Sequence, residues 1–168
     1  SIDNGTTWDN VTSPTANTLR GVGFGNNTFV GVGFSGNIVR STDNGSSWDN
    51  VSSGLAANGN YNLYDVTFGN NTFVAVGDSG KIVRSTDNGS SWDNATSPTT
   101  DALEGVTFGN NTFVAVGDDG NIVRSTDNGS SWDNATSPTT NHLYGATFGN
   151  NTFVAVGSSG NIVRSTDN

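Results

Sequence analysis

Four tryptophans, Trp8, Trp48, Trp92 and Trp132, stand 40, 44 and 40 residues apart, each ending nearly the same phrase. Ser-Thr-Asp-Asn-Gly-Ser-Ser-Trp occupies Ser41 to Trp48, Ser85 to Trp92 and Ser125 to Trp132, and a near copy runs from Ser1 to Trp8. A period of this length marks a propeller or a solenoid, in which a unit buries its apolar faces only against its neighbours. Only 32% of the 168 residues are hydrophobic and 23 are Gly. Because the apolar residues recur in register, stacked repeats can still share one continuous core.

Each repeat reads as four short strands. In the third, Leu103 to Phe108 leads through Gly109-Asn110-Asn111 to Thr112 to Val116, which turns at Asp118-Asp119-Gly120 into Ile122 to Thr126. Ser130 to Thr136 follows the Asp-Asn-Gly phrase as the fourth strand. β-Branched and aromatic runs bounded by Gly, Asn and Asp support strands joined by tight turns, and no run has the 3.6-residue apolar period of a helix. Apolar side chains on both strand faces, Val114 and Val116 against Phe113 and Ala115, suit a blade packed between two others.

The expected fold is therefore all-β, a propeller of four blades. Residues 1–12 supply a closing strand, blades span 13–52, 53–96 and 97–136, and 137–168 form a fourth blade lacking its own last strand. Thr6 to Thr12 would fill that gap and remove two sheet edges at once. Half of an eight-bladed two-chain ring, a strand-exchanged filament and a fragment of a longer array are the alternatives.

The phrase resembles the Asp-box, Ser/Thr-x-Asp-x-Gly-x-x-Trp, of the bacterial neuraminidase repeat propellers. The match covers Asp3, Gly5 and Trp8, Asp43, Gly45 and Trp48, Asp87, Gly89 and Trp92, and Asp127, Gly129 and Trp132, each set led by a serine. The resemblance implies a turn between third and fourth strands, with Asp tying down the backbone, Gly permitting the turn and Trp packing inward. Sialidases, photosystem II assembly factors and sorting receptors resemble one another in carrying this box, so it speaks for fold rather than activity.

A sialidase-like site would imply three converging arginines, a Tyr-Glu pair and an acidic proton donor. Here Arg40, Arg84, Arg124 and Arg164 all precede a box, Glu104 is the sole glutamate and His142 the sole histidine. A degenerate glycosidase is thus the weakest reading, and no catalytic residue is assigned. Without Cys there is no disulfide, thiol nucleophile or thiolate metal site. A net charge of -9 argues against nucleic acid and anionic membranes. No run approaches the roughly 18 apolar residues of a membrane span, and no leader is visible, so a soluble, mature or excised chain is expected.

Nearly identical repeats act as their own control. Variation concentrates in the link between blades and in the turn between second and third strands, which share one end of an antiparallel blade. Acids outside the repeated pattern, Asp65, Asp78, Asp101, Glu104, Asp118 and Asp119, sit at or near that end. With Arg20, Tyr61, Tyr64, Lys81, His142 and Tyr144 they form a candidate binding face for a glycan or protein. Tolerated loop drift is the bland alternative. No cofactor is expected; calcium would suit such acids, but no loop has the ligand spacing of a calcium motif.

Sequons stand at Asn4, Asn10, Asn26, Asn44, Asn50, Asn70, Asn88, Asn94, Asn110, Asn128, Asn134 and Asn150, candidate glycan acceptors if the chain is extracellular or on a cell surface. The leading expectation is a non-enzymatic extracellular binding or adhesion scaffold. The alternative is a structural protein, either a surface filament subunit or an engineered repeat propeller without ligand.

Overall fold

The computed structural model describes residues 4–55 and 61–165. Asp3 of the first box and the centre of the longest inter-blade link lie outside the described residues. Strands β1 (Leu19–Gly25), β2 (Thr28–Gly33), β3 (Ile38–Ser41) and β4 (Asp49–Val51) form one antiparallel sheet in chain order. A second holds β5 (Leu63–Gly69), β6 (Thr72–Gly77), β7 (Ile82–Ser85) and β8 (Asp93–Ala95), and a third β9 (Leu103–Gly109), β10 (Thr112–Gly117), β11 (Ile122–Ser125) and β12 (Asp133–Asn134). The last has three strands, β13 (Leu143–Gly149), β14 (Thr152–Gly157) and β15 (Ile162–Arg164). No α-helix occurs among the described residues, only single 3₁₀ turns such as Asp118–Gly120.

The strands form where the residues demand. Asn26 and Asn27, at φ 49° and 57°, make the two-residue loop between β1 and β2, where both central positions need positive φ to match strand twist. The fourth strand is shorter than expected, Asp133–Asn134 in place of Ser130 to Thr136, because Ser131 and Trp132 are used in closing the box. In the second blade Ser85 Oγ donates to Asp87 Oδ1 (2.8 Å) and accepts from the Gly89 N–H (2.8 Å). Ser91 donates its N–H to Asp87 Oδ1 (2.9 Å) and its hydroxyl to Oδ2 (2.6 Å), and the Trp92 indole donates to Gly89 O (3.2 Å). Gly89 turns at φ 77°, where a side chain would be strained. Each position follows from the motif: a short acid accepting local N–H groups, a glycine turning, and an indole laid back over it.

Blades join through one repeated junction. Val30, Val32 and Ile38 of the first blade pack against Leu63, Val66, Phe73, Ala75, Val83 and Trp92 of the second. Val74, Val76 and Ile82 meet Leu103, Val106, Phe113, Ala115, Val123 and Trp132 in the same way. Val114 and Val116 meet Leu143 and Ala155 at the third junction. Full burial of such a side chain contributes about 1.5–3 kcal/mol. Glycine admits the closest approach: a β-carbon on Gly25, Gly69 or Gly109 would collide with the ring of Phe68, Phe108 or Phe148 of the next blade. Polar contacts fasten the box end, where Arg40 Nε donates to Asn88 O (2.6 Å) and Asn26 Nδ2 to Asn88 Oδ1 (2.6 Å).

One acid from the variable set proves structural. Asp65 occupies the position held elsewhere by Gly21, Gly105 and Gly145, and its carboxylate accepts the N–H groups of Val66 (2.9 Å) and of Val106 in the next blade (2.9 Å). Burial pushes its pKa up, against the pull of those two N–H donors.

The expected closure is not formed. Residues 6–12 make no strand, β15 pairs only with β14, and Trp8 is exposed. Strands β1, β5, β9 and β13 line the inner side in order, each against the next, and β1 has no comparable contact with β13. The sheets form an open arc arranged as in a propeller.

Gly69→Ala should destabilise the fold by about 1–3 kcal/mol in urea unfolding, by overpacking the Phe108 seat. Asp65→Ala, which strands a buried N–H at Val106, should cost about 1–3 kcal/mol. A midpoint equal to that of the parent would contradict either assignment.

Hydrogen bonds from serines lower the box aspartates, Asp43, Asp87 and Asp127, from 3.8 to about 2. Depressed folded-state carboxyl pKa values add stability that is present above the unfolded value and lost as pH falls through the folded one. The urea midpoint should therefore hold near neutrality and decline as pH drops from about 4 towards 2. A box aspartate replaced by Asn should flatten its share of that decline.

Candidate functional site

The variable end is built by two connections that lie back to back. The turn between second and third strands bonds to the link entering its own blade: Asp78 N–H donates to Asn62 O (2.9 Å), Asp118 N–H to Ala102 O (2.9 Å) and Ser158 N–H to His142 O (2.8 Å). A β-carbon on Gly80 or Gly120 of that turn would strike Thr99 or Thr139 on the link to the following blade. This rim is thus a continuous backbone ledge, and side chains on it are held by framework.

Arg20, Tyr64, Glu104 and Tyr144 occupy one repeat position, the second residue of β1, β5, β9 and β13. Those strands line the inner side of the arc, so the four side chains face a common space. The Arg20 guanidinium lies 4.2 Å from the Tyr64 ring centroid and reaches across the second blade to Glu104, 3.5 Å away. Tyr64 donates its hydroxyl to Asp78, whose other oxygen accepts the Asn62 N–H (2.9 Å). Burial and the Asp78 carboxylate raise the Tyr64 phenol to about 12, so it remains a donor at any physiological pH. Burial also raises Glu104; Arg20 and His142 oppose that rise, while Asp118 and Asp78 add to it. Asp118 Oδ1 sits 2.7 Å from His142 Nδ1, and the His142 and Tyr144 rings are parallel with centroids 6.5 Å apart.

The structure thus joins Arg20, Tyr64, Asp78, Glu104, Asp118, His142 and Tyr144 into one inner-rim group. Tyr61 and Lys81 make a separate pair, with the ammonium 4.5 Å from the ring centroid. Asp101 accepts from Thr99 Oγ1 (3.2 Å) and Asn121 Nδ2 (2.8 Å), which makes it a brace for the ledge. Asp119 is exposed on its turn at φ 53°. Asn62 and Asn121 also hold the rim together, through Ser35 N–H to Asn62 Oδ1 (3.1 Å) and Asn121 Nδ2 to Asp118 O (2.9 Å). Sequence reading passed over both, because Asn is so common in the turns of this chain that it carries no signal.

At the opposite end the arginines are spread one per blade. Arg40 Nε and Arg84 Nη1 each donate to a box carbonyl of the following blade, Asn88 O (2.6 Å) and Asn128 O (3.4 Å). They do not converge as a sialidase triad would. Among the described residues no group of three or more His, Cys, Asp or Glu is placed to hold a metal ion.

No curated protein matches the chain. Among solved structures, YCF48 from Cyanidioschyzon merolae is similar at a TM-score of 0.72 and 23% identity, over 93% of this chain and 55% of that one. A structure of YCF48 bound to D1 peptide matches at 0.71 and 20% identity, over 97% of this chain and 54% of that one. The computationally designed Ika4 protein matches at 0.74 and 12% identity, over 97% of this chain and all of that one. The chain therefore spans about half the length of the YCF48 structures it resembles, and at these identities the likeness shows the fold. The family profile described as photosynthesis system II assembly factor YCF48, built of BNR repeats, matches residues 2–167. The chain belongs to that family of Asp-box repeat proteins.

Proposed function

We propose that this chain is a non-enzymatic protein-binding scaffold, and that its partner, a peptide segment, is met at the inner rim. The observation that carries this reading is the repeat position filled by Arg20, Tyr64, Glu104 and Tyr144. It differs between blades while the strands around it scarcely change, and it places a guanidinium, a carboxylate and two phenols on one framework-held ledge. Tyr and Arg are the side chains that most often dominate protein interfaces, since they offer large contact area with directed hydrogen bonds. A YCF48 structure with bound D1 peptide supports a peptide as the type of ligand. The sequons agree with a location outside the cytoplasm.

The same reading makes the rim incomplete within these 168 residues. The chain matches 54–55% of the YCF48 chains and 45% of the designed Ika8 chain, which supports an arc of about half a ring rather than a closed ring of four blades. A structural repeat protein without ligand is the second reading. The near-identity of the repeats and the likeness to Ika4 over its whole length favour it.

Fluorescence anisotropy with a labelled D1 peptide separates the two. The scaffold reading expects saturable binding, weakened about tenfold or more by Arg20→Ala combined with Tyr64→Ala, and unchanged by Ser90→Ala at the box end. Absence of binding, or equal loss from both ends, would favour the structural protein.

A further inference from the structure

The second blade departs from the common repeat at a pair of positions on the rim. Two residues before the first leucine of each inner strand stand Asn17, Tyr61, Asp101 and Asn141, and the turn between second and third strands ends on Asn37, Lys81, Asn121 and Asn161. In three blades the asparagine of that turn closes it. Asn37 Nδ2 donates to Phe34 O (3.0 Å), Asn121 Nδ2 to Asp118 O (2.9 Å) and Asn161 Nδ2 to Ser158 O (3.2 Å). The third blade adds a brace between the two positions, Asn121 Nδ2 to Asp101 Oδ2 (2.8 Å).

Lys81 keeps the backbone bonds of the turn, its N–H donating to Asp78 O (2.9 Å) and its carbonyl accepting the Gly77 N–H (3.0 Å). Its side chain instead carries the ammonium over the Tyr61 ring, 4.5 Å from the centroid. The second blade thus exchanges side-chain bonds that hold the rim for a cation on an aromatic ring. A residue that breaks a local rule on an otherwise constant frame marks a position with a further role. The second blade has a sheet on either side, so its surroundings do not depend on the extent of the arc.

Lys81 is the sole lysine of the chain, in which fifteen acids face six bases. Among the described residues no carboxylate lies within ion-pair distance of it. Asp78, on the same turn, is taken up by the Tyr64 hydroxyl and the Asn62 N–H. An ammonium has three donors and no acceptor, and the ring restrains a stem that is otherwise flexible. Both side chains are half-buried. The pair also adjoins the inner-rim group, because Tyr61 and Tyr64 are three residues apart, a span of at most about 10 Å. An extended peptide covers that span in about three residues.

We propose that Lys81, held on Tyr61, is a second subsite that takes a carboxylate of the bound peptide, which therefore lies across the rim of the second blade from Tyr64 to Tyr61. The subsite rests on the peptide-binding reading and adds to it the chemistry of the ligand and the line along which it runs. The inner group anchors one part of the peptide, and Lys81 reads an acidic group about three residues away.

The test uses Lys81→Asn, which restores the residue of the other three blades. In anisotropy with the labelled D1 peptide this variant should bind about three- to fivefold more weakly than the parent, the size of one exposed ion pair. Its urea midpoint should equal or exceed that of the parent, and Lys81→Arg should keep the parent's affinity. Methyl esters on the peptide's carboxyl groups should cost the parent the same factor and cost Lys81→Asn nothing further. Amidating the C-terminus alone should reproduce the whole loss for a terminal carboxylate and none of it for a side chain's; either result upholds the subsite. Lys81→Asn binding as tightly as the parent, or losing as much as the parent on esterification, would overturn the subsite and leave the inner-rim reading standing. Weaker binding together with a lower urea midpoint would overturn it too, by making Lys81 a residue of the framework. A parent that does not bind the peptide would overturn both readings.

Discussion

Wherever one blade meets the next, a phenylalanine ring takes up the space a β-carbon would need, Phe68 over Gly25, Phe108 over Gly69 and Phe148 over Gly109. That contact fixes how close adjacent sheets approach on the inner side and therefore how the arc bends. The valine and isoleucine layers on either side can interlock only at that spacing, since core packing tolerates little change in volume. The Asp-box serves the same junction from the other end. By closing its turn on its own serines it frees a carbonyl, Asn88 O or Asn128 O, to receive an arginine of the preceding blade.

Much of this architecture can be read directly from the sequence. The four boxes place the blades, the alternating apolar residues give strands buried on both faces, and Asn-Asn after Gly marks each hairpin. The angle between blades cannot be read there. It arises from the depth at which side chains interlock across a junction, and four near-identical repeats are compatible with a ring of four or with half a ring of eight. The closing strand expected over Thr6 to Thr12 rested on topology alone, and in the structure those residues form no strand.

The candidate site was legible in outline. Comparing repeats isolates the rim and nearly all of its side chains, because those positions vary on an otherwise constant frame. Their roles are a matter of direction. Asp65, one more acid in the variable set, turns between blades and joins Val66 to Val106. Asp101 turns into the ledge, whereas Glu104 turns to the inner face, where Arg20 reaches it across a whole blade. Sequence spacing holds no sign of that reach, which depends on the curvature of β1, β5 and β9.

The phenylalanine ring seated on a glycine of the preceding blade is the contact on which the stacking of the sheets depends, and a crystal structure of the protein tests it most directly. The rings of Phe68, Phe108 and Phe148 should lie over Gly25, Gly69 and Gly109, with β1, β5, β9 and β13 side by side. Rings turned out to solvent, or neighbouring sheets far enough apart to leave room for a β-carbon at those three glycines, would contradict it.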